Sequence, residues 1–436
     1  QIAIRLHSDV QLGQEFYASS KGAFENAAKL FEQIAESQVI SSRKVHLDLY
    51  LHGAVDFALG EFQANATVLA RKVLSRFDFE TDIRSKVIKA AFLLLKQDLL
   101  EIVKSFSEEI SQKGTFEKIL IQKFNSGEYD RNGVAEDTGH FITLEGILFF
   151  TIYLRTGNLD YYKTAKEKTD NALKIFETIR DPDNFVLTQL ISLLIRQMQF
   201  CSIWHQLGDI HKFQNNPILL RYLTTLATDK SKPIYELWDS QIQALPKVLD
   251  SKDSIVLQMP TSAGKTRVAE IKIAQVLASA QGQPCRCIYV APFKSLASQV
   301  KESLNVYLGK AGYRVTSVFG SYESVDFEDI LVEQSDVLVI TPEKLDYLFR
   351  QNKELFQEVK LIVIDEGHLL DNDVRGLRLE ILLSRLKRTF AQNGLQILFM
   401  SAVLPNSGEV ATWLSQGEPN VAQSNWKPTK LRKESF

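Results

Sequence analysis

Ser254-Ile255-Val256-Leu257-Gln258-Met259-Pro260-Thr261-Ser262-Ala263-Gly264-Lys265-Thr266 is the stretch that decides the fold class. Its first five residues, Ser254–Gln258, are a short, largely apolar run, which predicts a strand buried on both faces. Lys265–Ala280 then carries helical periodicity. A strand, a tight loop and a helix in that order make a phosphate cradle, because successive backbone N–H groups and the helix N-terminus converge on one anion. Gly264 lets the backbone approach closely, Lys265 is expected to reach the β- and γ-phosphates, and the Thr266 hydroxyl is expected on Mg2+. Thr261, Ser262 and Ala263 complete the expected nucleotide-binding loop. Met259 stands where the general G-x-x-x-x-G-K-[ST] pattern has its first glycine, so that pattern is incomplete.

Working outward, further short apolar runs predict strands at Arg286–Ala291, Arg314–Phe319, Val337–Ile340, Lys360–Ile364 and Gln396–Met400. Helical patterns lie between them at Lys294–Leu308, Pro342–Gln351 and Leu377–Phe390. This alternation predicts an α/β domain with a mostly parallel sheet covered on both faces. Working loops in such sheets lie beyond the carboxyl ends of the strands. At one strand tip the chain reads Leu361-Ile362-Val363-Ile364-Asp365-Glu366-Gly367-His368. About 100 residues after a phosphate loop, that acidic pair is expected to be functional: Asp365 on Mg2+, directly or through water, and Glu366 orienting or deprotonating the attacking water. His368 joins the candidate catalytic set, with a polar residue at a helix start as the alternative. ATP and Mg2+ are the ligands this pairing implies.

Before residue 230 the sequence changes character. Gln11–Ser37, Val45–Phe77, Asp82–Ile110, Phe141–Arg155, Leu159–Arg180 and Asn184–Leu207 each show apolar residues at helical spacing. Breaks are expected at Gly114, Asn125-Ser126-Gly127, Asn132-Gly133, Thr156-Gly157-Asn158 and Asp181-Pro182-Asp183. Short connections predict a bundle or helical hairpins. Leu159–Phe176 has a tetratricopeptide look, but no clean repeat of about 34 residues emerges. The expected organisation is an all-α domain over 1–230, an α/β domain over 231–423 and a closing segment over 424–436.

Composition sets outer bounds. With 45% hydrophobic and 24% charged residues the chain has ordinary globular proportions. It has no apolar run long enough for a membrane helix and no signal-peptide pattern, so no membrane association is expected. Three cysteines cannot build a disulfide framework and suit a reducing cytoplasm. Cys285 and Cys287 are read as small buried side chains, since a zinc site would need two further ligands. A net charge of −2 does not advertise nucleic-acid binding, although a local basic groove can hide within a neutral average.

The order and spacing of these elements resemble superfamily 2 helicases of the superkiller-like DExH group, over about Ile234 to Lys433. Ile234–Leu245 resembles the family's adenine-reading Q motif, with Gln241 as the matched glutamine and Trp238 beside it. Pro260–Thr266 matches motif I, Ala291–Ala297 motif Ia, Gly320-Ser321-Tyr322 the short glycine element after it, and Thr341–Leu345 motif Ib. Asp365–His368 matches motif II, Arg375-Gly376 with Glu380 the helix that follows, and Ser401–Asn406 motif III. Val403 stands where motif III usually has threonine, which puts tight coupling of hydrolysis to unwinding in question.

The resemblance implies two RecA-like P-loop domains and ATP-driven tracking on single-stranded or partly duplex nucleic acid, 3′ to 5′, with DNA favoured. Backbone-holding roles fall on Pro292, Lys294, Ser295, Gly320, Ser321, Thr341 and Lys344, and coupling of nucleotide state to strand grip on Ser401 and Ala402. Backbone contact suits a motor because it tolerates any sequence. Thr341-Pro342 also reads as a helix N-cap with proline at the first position. The family's second RecA-like domain and its arginine finger are expected beyond a linker over 424–436, so this chain is read as part of a longer protein that would turn ATP over poorly by itself. The alternatives are a duplex translocase that does not unwind, an RNA helicase, or a helical scaffold with a degenerate ATP clamp. Intact Lys265, Thr266, Asp365 and Glu366 argue against the scaffold. The arrangement is similar to helicase subunits of bacterial anti-phage defence systems of the Hachiman type, which implies a nuclease or effector partner docked on the helical domain.

Overall fold

The computed structural model describes residues 14–37, 42–280, 282–318, 331–371, 373–390, 394–415 and 418–426. The described chain divides between Trp204 and His205 into two compact units.

The first unit is helical. Among its described residues are α1 (Gln14–Glu36), α2 (Arg43–Leu59), α3 (Gln63–Arg76), α4 (Ile83–Leu95), α5 (Leu99–Ser111), α6 (Lys113–Asn125), α7 (Arg131–Thr156), α8 (Leu159–Thr178) and α9 (Pro182–Cys201). Side-chain caps set several starts by satisfying first-turn N–H groups. Asp82 accepts from Ser85 N at 3.0 Å, Asp130 from Gly133 N at 2.8 Å, and Asp181 from Asn184 N at 3.1 Å.

Three expectations are corrected here. Val45–Phe77 is two helices, because the chain turns at Gly60-Glu61, with Glu61 at φ 65°. Asp82–Ile110 is likewise two, turning at Gln97 with φ 62°. The break expected at Asn132-Gly133 is instead the first turn of α7, where the Asp130 cap offsets glycine's low helix propensity. Phe150, Leu154 and Phe176 form part of the buried α7–α8 seam.

The second unit is built on a seven-stranded parallel sheet in the order β3-β4-β2-β5-β6-β1-β7. Its strands are β1 (Ile255–Gln258), β2 (Arg286–Val290), β3 (Val315–Val318), β4 (Val337–Ile340), β5 (Val359–Ile364), β6 (Gln396–Ser401) and β7 (Val421–Gln423). Around them lie α10 (Pro217–Thr228), α11 (Asp239–Asp250), α12 (Lys265–Ser279), α13 (Lys294–Leu304), α14 (Pro342–Gln351), α15 (Asp373–Phe390) and α16 (Ser407–Leu414). Helices cover both faces, so the central strands can be largely apolar: every residue of β2 and of β4 is buried, Arg286 included. Register places Val290 beside Ile364 and Val256 beside Phe399, which brings the ends of β1, β2, β5 and β6 to one edge. No described helix is long and apolar enough to cross a membrane.

Candidate nucleotide and strand-binding site

The loop after β1 is shaped by two left-handed residues, Ser262 at φ 66° and Gly264 at φ 88°. A side chain at Gly264 would also run into the amide of Gln241, so both conformation and space demand glycine there. From beneath, α11 grips the loop. Ser240 Oγ donates to Ala263 O at 2.8 Å, and Gln241 Nε2 donates to Gly264 O at 3.3 Å. Gln241 Oε1 accepts from Trp238 N at 2.9 Å, so each end of this amide is engaged once and keeps one position for a further partner. Thr261 and Ser262 are exposed while Ala263 is buried. The first-turn N–H groups of α12, at Lys265 and Thr266, have no intrahelical acceptor.

Lys265 is 7% exposed, and its Nζ is buried with no hydrogen-bond partner. The nearest carboxylate oxygen of an ion pair, Glu366 Oε2, is 3.7 Å away. A buried ammonium left without an acceptor is costly unless an anion occupies the space it faces. That observation, with the open first turn of α12, fits a polyphosphate.

At the tip of β5, Asp365 is buried and Glu366 adopts φ 50°. That left-handed backbone turns Glu366 toward Lys265, with His368 Nδ1 3.3 Å from its Oε2. Burial pushes the Asp365 carboxyl above the usual range, partly opposed by the hydroxyl of Tyr289, which donates to Oδ2 at 2.8 Å. Oδ1 accepts from Glu366 N at 2.9 Å. The Thr266 hydroxyl also acts on the Tyr289 phenol. Tyr289 thus lies between the two residues expected on Mg2+, a role that sequence reasoning missed. Its only sequence signal is a polar tip inside a strand otherwise buried on both faces. Ser401, at the end of β6, gives its hydroxyl to Val403 O at 3.0 Å, while its carbonyl accepts Met259 N at 3.1 Å, so this tip is tied to the start of the loop. Ala402 follows, half-buried.

The other expected strand contacts gather at the neighbouring tips of β2 and β4. Pro292 is buried, Lys294 and Ser295 are exposed on the first turn of α13, and Thr341 opens α14. Lys344 is buried, with its Nζ 5.0 Å from the Tyr347 ring centroid, so it does not stand out on the surface. Gly320 and Ser321 lie outside the described residues.

The family model described as DEAD/DEAH box helicase matches residues 238–410. This stretch is a DEAD/DEAH box helicase domain. It spans the loop, the acidic strand tip and Ser401, all the parts just described. Among curated relatives, the chain is 31% identical to the Hachiman protein HamB of Bacillus cereus over 280 residues, covering 64% of this chain and 25% of that one. Those 280 aligned residues exceed everything from residue 238 onward, so the likeness reaches into the helical half. It is 36% identical to the ATP-dependent DNA helicase Hel308 of Thermococcus kodakarensis over 208 residues, covering 48% of this chain and 17% of that one. A solved structure of the DUF1998 helicase MrfA bound to DNA matches with TM-score 0.40 and 25% identity, over 47% of this chain and 29% of that one. The chain spans a quarter or less of the length of these two curated relatives.

Proposed function

We propose that the protein carrying this chain is an ATP-dependent helicase that tracks along single-stranded DNA, 3′ to 5′, and serves a bacterial defence system of the Hachiman type. The observation that carries the ATP reading is the buried Lys265 ammonium, which has no hydrogen-bond partner and faces Glu366 at 3.7 Å across the strand tips. In this reading the α12 first turn and Lys265 bind the β- and γ-phosphates of ATP. Thr266 and Asp365 hold Mg2+, which when bound would draw charge from the phosphoryl oxygens. Glu366 orients the attacking water and takes its proton at a carboxylate oxygen, with His368 Nδ1 beside Oε2 steadying that carboxylate. Gln241 reads adenine with its remaining amide positions. Ser401 and Ala402 pass nucleotide state to the strand, which lies against Pro292, Lys294, Ser295, Gly320, Ser321 and Thr341, whereas Lys344, buried beside Tyr347, does not present its charge there.

Residues 231–423 act as the first motor domain, and 424–436 lead toward a second one that supplies the arginine finger. Residues 1–230 dock a protein partner, a nuclease or other effector. Relatives named as ATP-dependent DNA helicases support the choice of DNA, and the extended likeness to HamB supports the defence role.

Strand displacement by the full-length protein tests this. Labelled duplexes with a 3′ or a 5′ single-stranded tail, in DNA and in RNA, are incubated with ATP. Displacement is expected from 3′-tailed DNA. Displacement from 5′ tails would reverse the polarity, and preference for RNA would change the track. Triplex disruption without any unwinding would make the protein a duplex translocase.

A further inference from the structure

The expected cation of motif Ib, Lys344, is buried, which leaves the strand-facing edge short of positive charge at that point. The next helix supplies it. On α15, Arg375, Arg378 and Arg385 fall three and then seven residues apart, a single stripe of the helix, and all three are exposed. With Pro292 and Pro342, the residues that leave the tips of β2 and β4, they line a groove of about 430 Å3.

The charges in this groove do not cancel. Arg350 of α14 lines it too, so four guanidiniums share two carboxylates. Arg375 Nε lies 3.4 Å from Glu343, while Asp346 is divided between Arg350 and Arg385, the latter at 3.4 Å. Arg378 has no ion-pair partner among the described residues. Nothing in the composition forces such a local surplus, since the whole chain is net negative. Guanidinium forks match phosphate oxygens in pairs, which a lysine cannot do. At the rim, Phe293 is 49% exposed, and the Arg375 guanidinium sits 5.5 Å from its ring centroid. An exposed aromatic face beside an open cationic groove suits a base and its backbone.

We propose that this groove is a second backbone-binding site for single-stranded nucleic acid, in which Arg375, Arg378 and Arg385 hold phosphates and Phe293 stacks a base. The site rests on the motor reading above and extends the strand path from the tips of β2 and β4 onto α15. An acidic protein segment would meet the same charges, but neither the aromatic rim nor the adjacency to the two strand tips would serve it.

The test is fluorescence anisotropy of a labelled oligothymidylate with the full-length protein across a salt series. Arg378→Gln/Arg385→Gln is compared with wild type and with Arg388→Gln, an exposed arginine of the same helix outside the groove. The double variant is expected to bind roughly tenfold more weakly, and its slope of log affinity against log salt should fall by about 1 to 2. Phe293→Ala should weaken binding with no change of slope, and Arg388→Gln should match wild type. ATP affinity without nucleic acid should stay unchanged in all of them. Wild-type slope and affinity in the double variant would overturn the proposal. So would unchanged strand binding with lost binding of polyglutamate, which would make the groove a protein-docking surface. Absence of strand binding by the wild type is a distinct result, and it would overturn the motor reading itself.

Discussion

Tyr289 is wholly buried in β2, yet its hydroxyl reaches Asp365 Oδ2 at 2.8 Å. Burial and the neighbouring carboxylate push its own ionisation well above the ordinary phenol range, so it remains a donor at neutral pH. Tyr289→Phe keeps the ring and removes only the donor. A hydrogen bond to a charged group contributes about 1.5–3 kcal/mol, so the variant should lose roughly tenfold or more in kcat. The Mg2+ concentration for half-maximal hydrolysis should rise, while KM for ATP should change little because in the proposed site the phosphates are held by Lys265 and the loop, which the variant leaves intact. A steady-state Mg2+ titration of strand-stimulated hydrolysis checks this, and an unmoved Mg2+ midpoint would refute the role. Lys265, Thr266, Asp365 and Glu366 could be proposed together from sequence because spacing links a phosphate loop to an acidic strand tip, and the fold brings Lys265 to 3.7 Å from Glu366. Tyr289 could not, because a tyrosine in Arg-Cys-Ile-Tyr-Val reads as bulk. Lys344 shows the reverse case: motif position marks it, but only packing against Tyr347 reveals that its charge is withdrawn from the surface.

Among elements, β4 and α14 match their expected bounds at both ends, since a continuous apolar run is closed by Thr341-Pro342. β7 was missed because three residues with one buried side chain carry no period. The expected helix Lys294–Leu308 ends in a wider π-type turn at Asn305–Gly309, which apolar spacing does not distinguish from α. The helical unit carries its own titration signal on α7. His140 is 1% exposed with neither ring nitrogen hydrogen-bonded, its ring lying against Phe176. Glu136, on the turn before it, stays 3.9 Å away.

Burial lowers the imidazole pKa from 6.5 to about 3. Between those values the unfolded chain binds a proton that the folded helix rejects, so the stability of this unit is intact above pH 6.5 and falls as pH drops toward 3. This group contributes at most about 1.4 kcal/mol per pH unit across that window. His140→Phe should flatten that part of the pH dependence. Denaturant unfolding at pH 7 and pH 5, followed by a probe in the helical unit, compares the two proteins. An identical loss of stability on acidification in both would show that His140 is not responsible.

For the molecule as a whole, a net charge of −2 hid the arginine surplus beside the β2 and β4 tips, because charge averages over the chain while binding depends on one face. The α/β and all-α halves were legible from the change of apolar period near residue 230. The division between Trp204 and His205 depends instead on which partners α10 packs against, and the period of a single helix does not carry that. One such partnership is buried between α10 and α12, where Tyr222 of α10 donates to Glu270 of α12 at 2.6 Å and Glu270 pairs with Arg267. The central claim is that the site around Lys265 burns ATP in response to a nucleic-acid strand. Its most direct measurement is the ATPase rate of the full-length protein with and without single-stranded DNA, beside Lys265→Ala. Strong stimulation by the single strand is expected, and it should disappear in the variant. A rate indifferent to every nucleic acid, or one that survives Lys265→Ala, would contradict it.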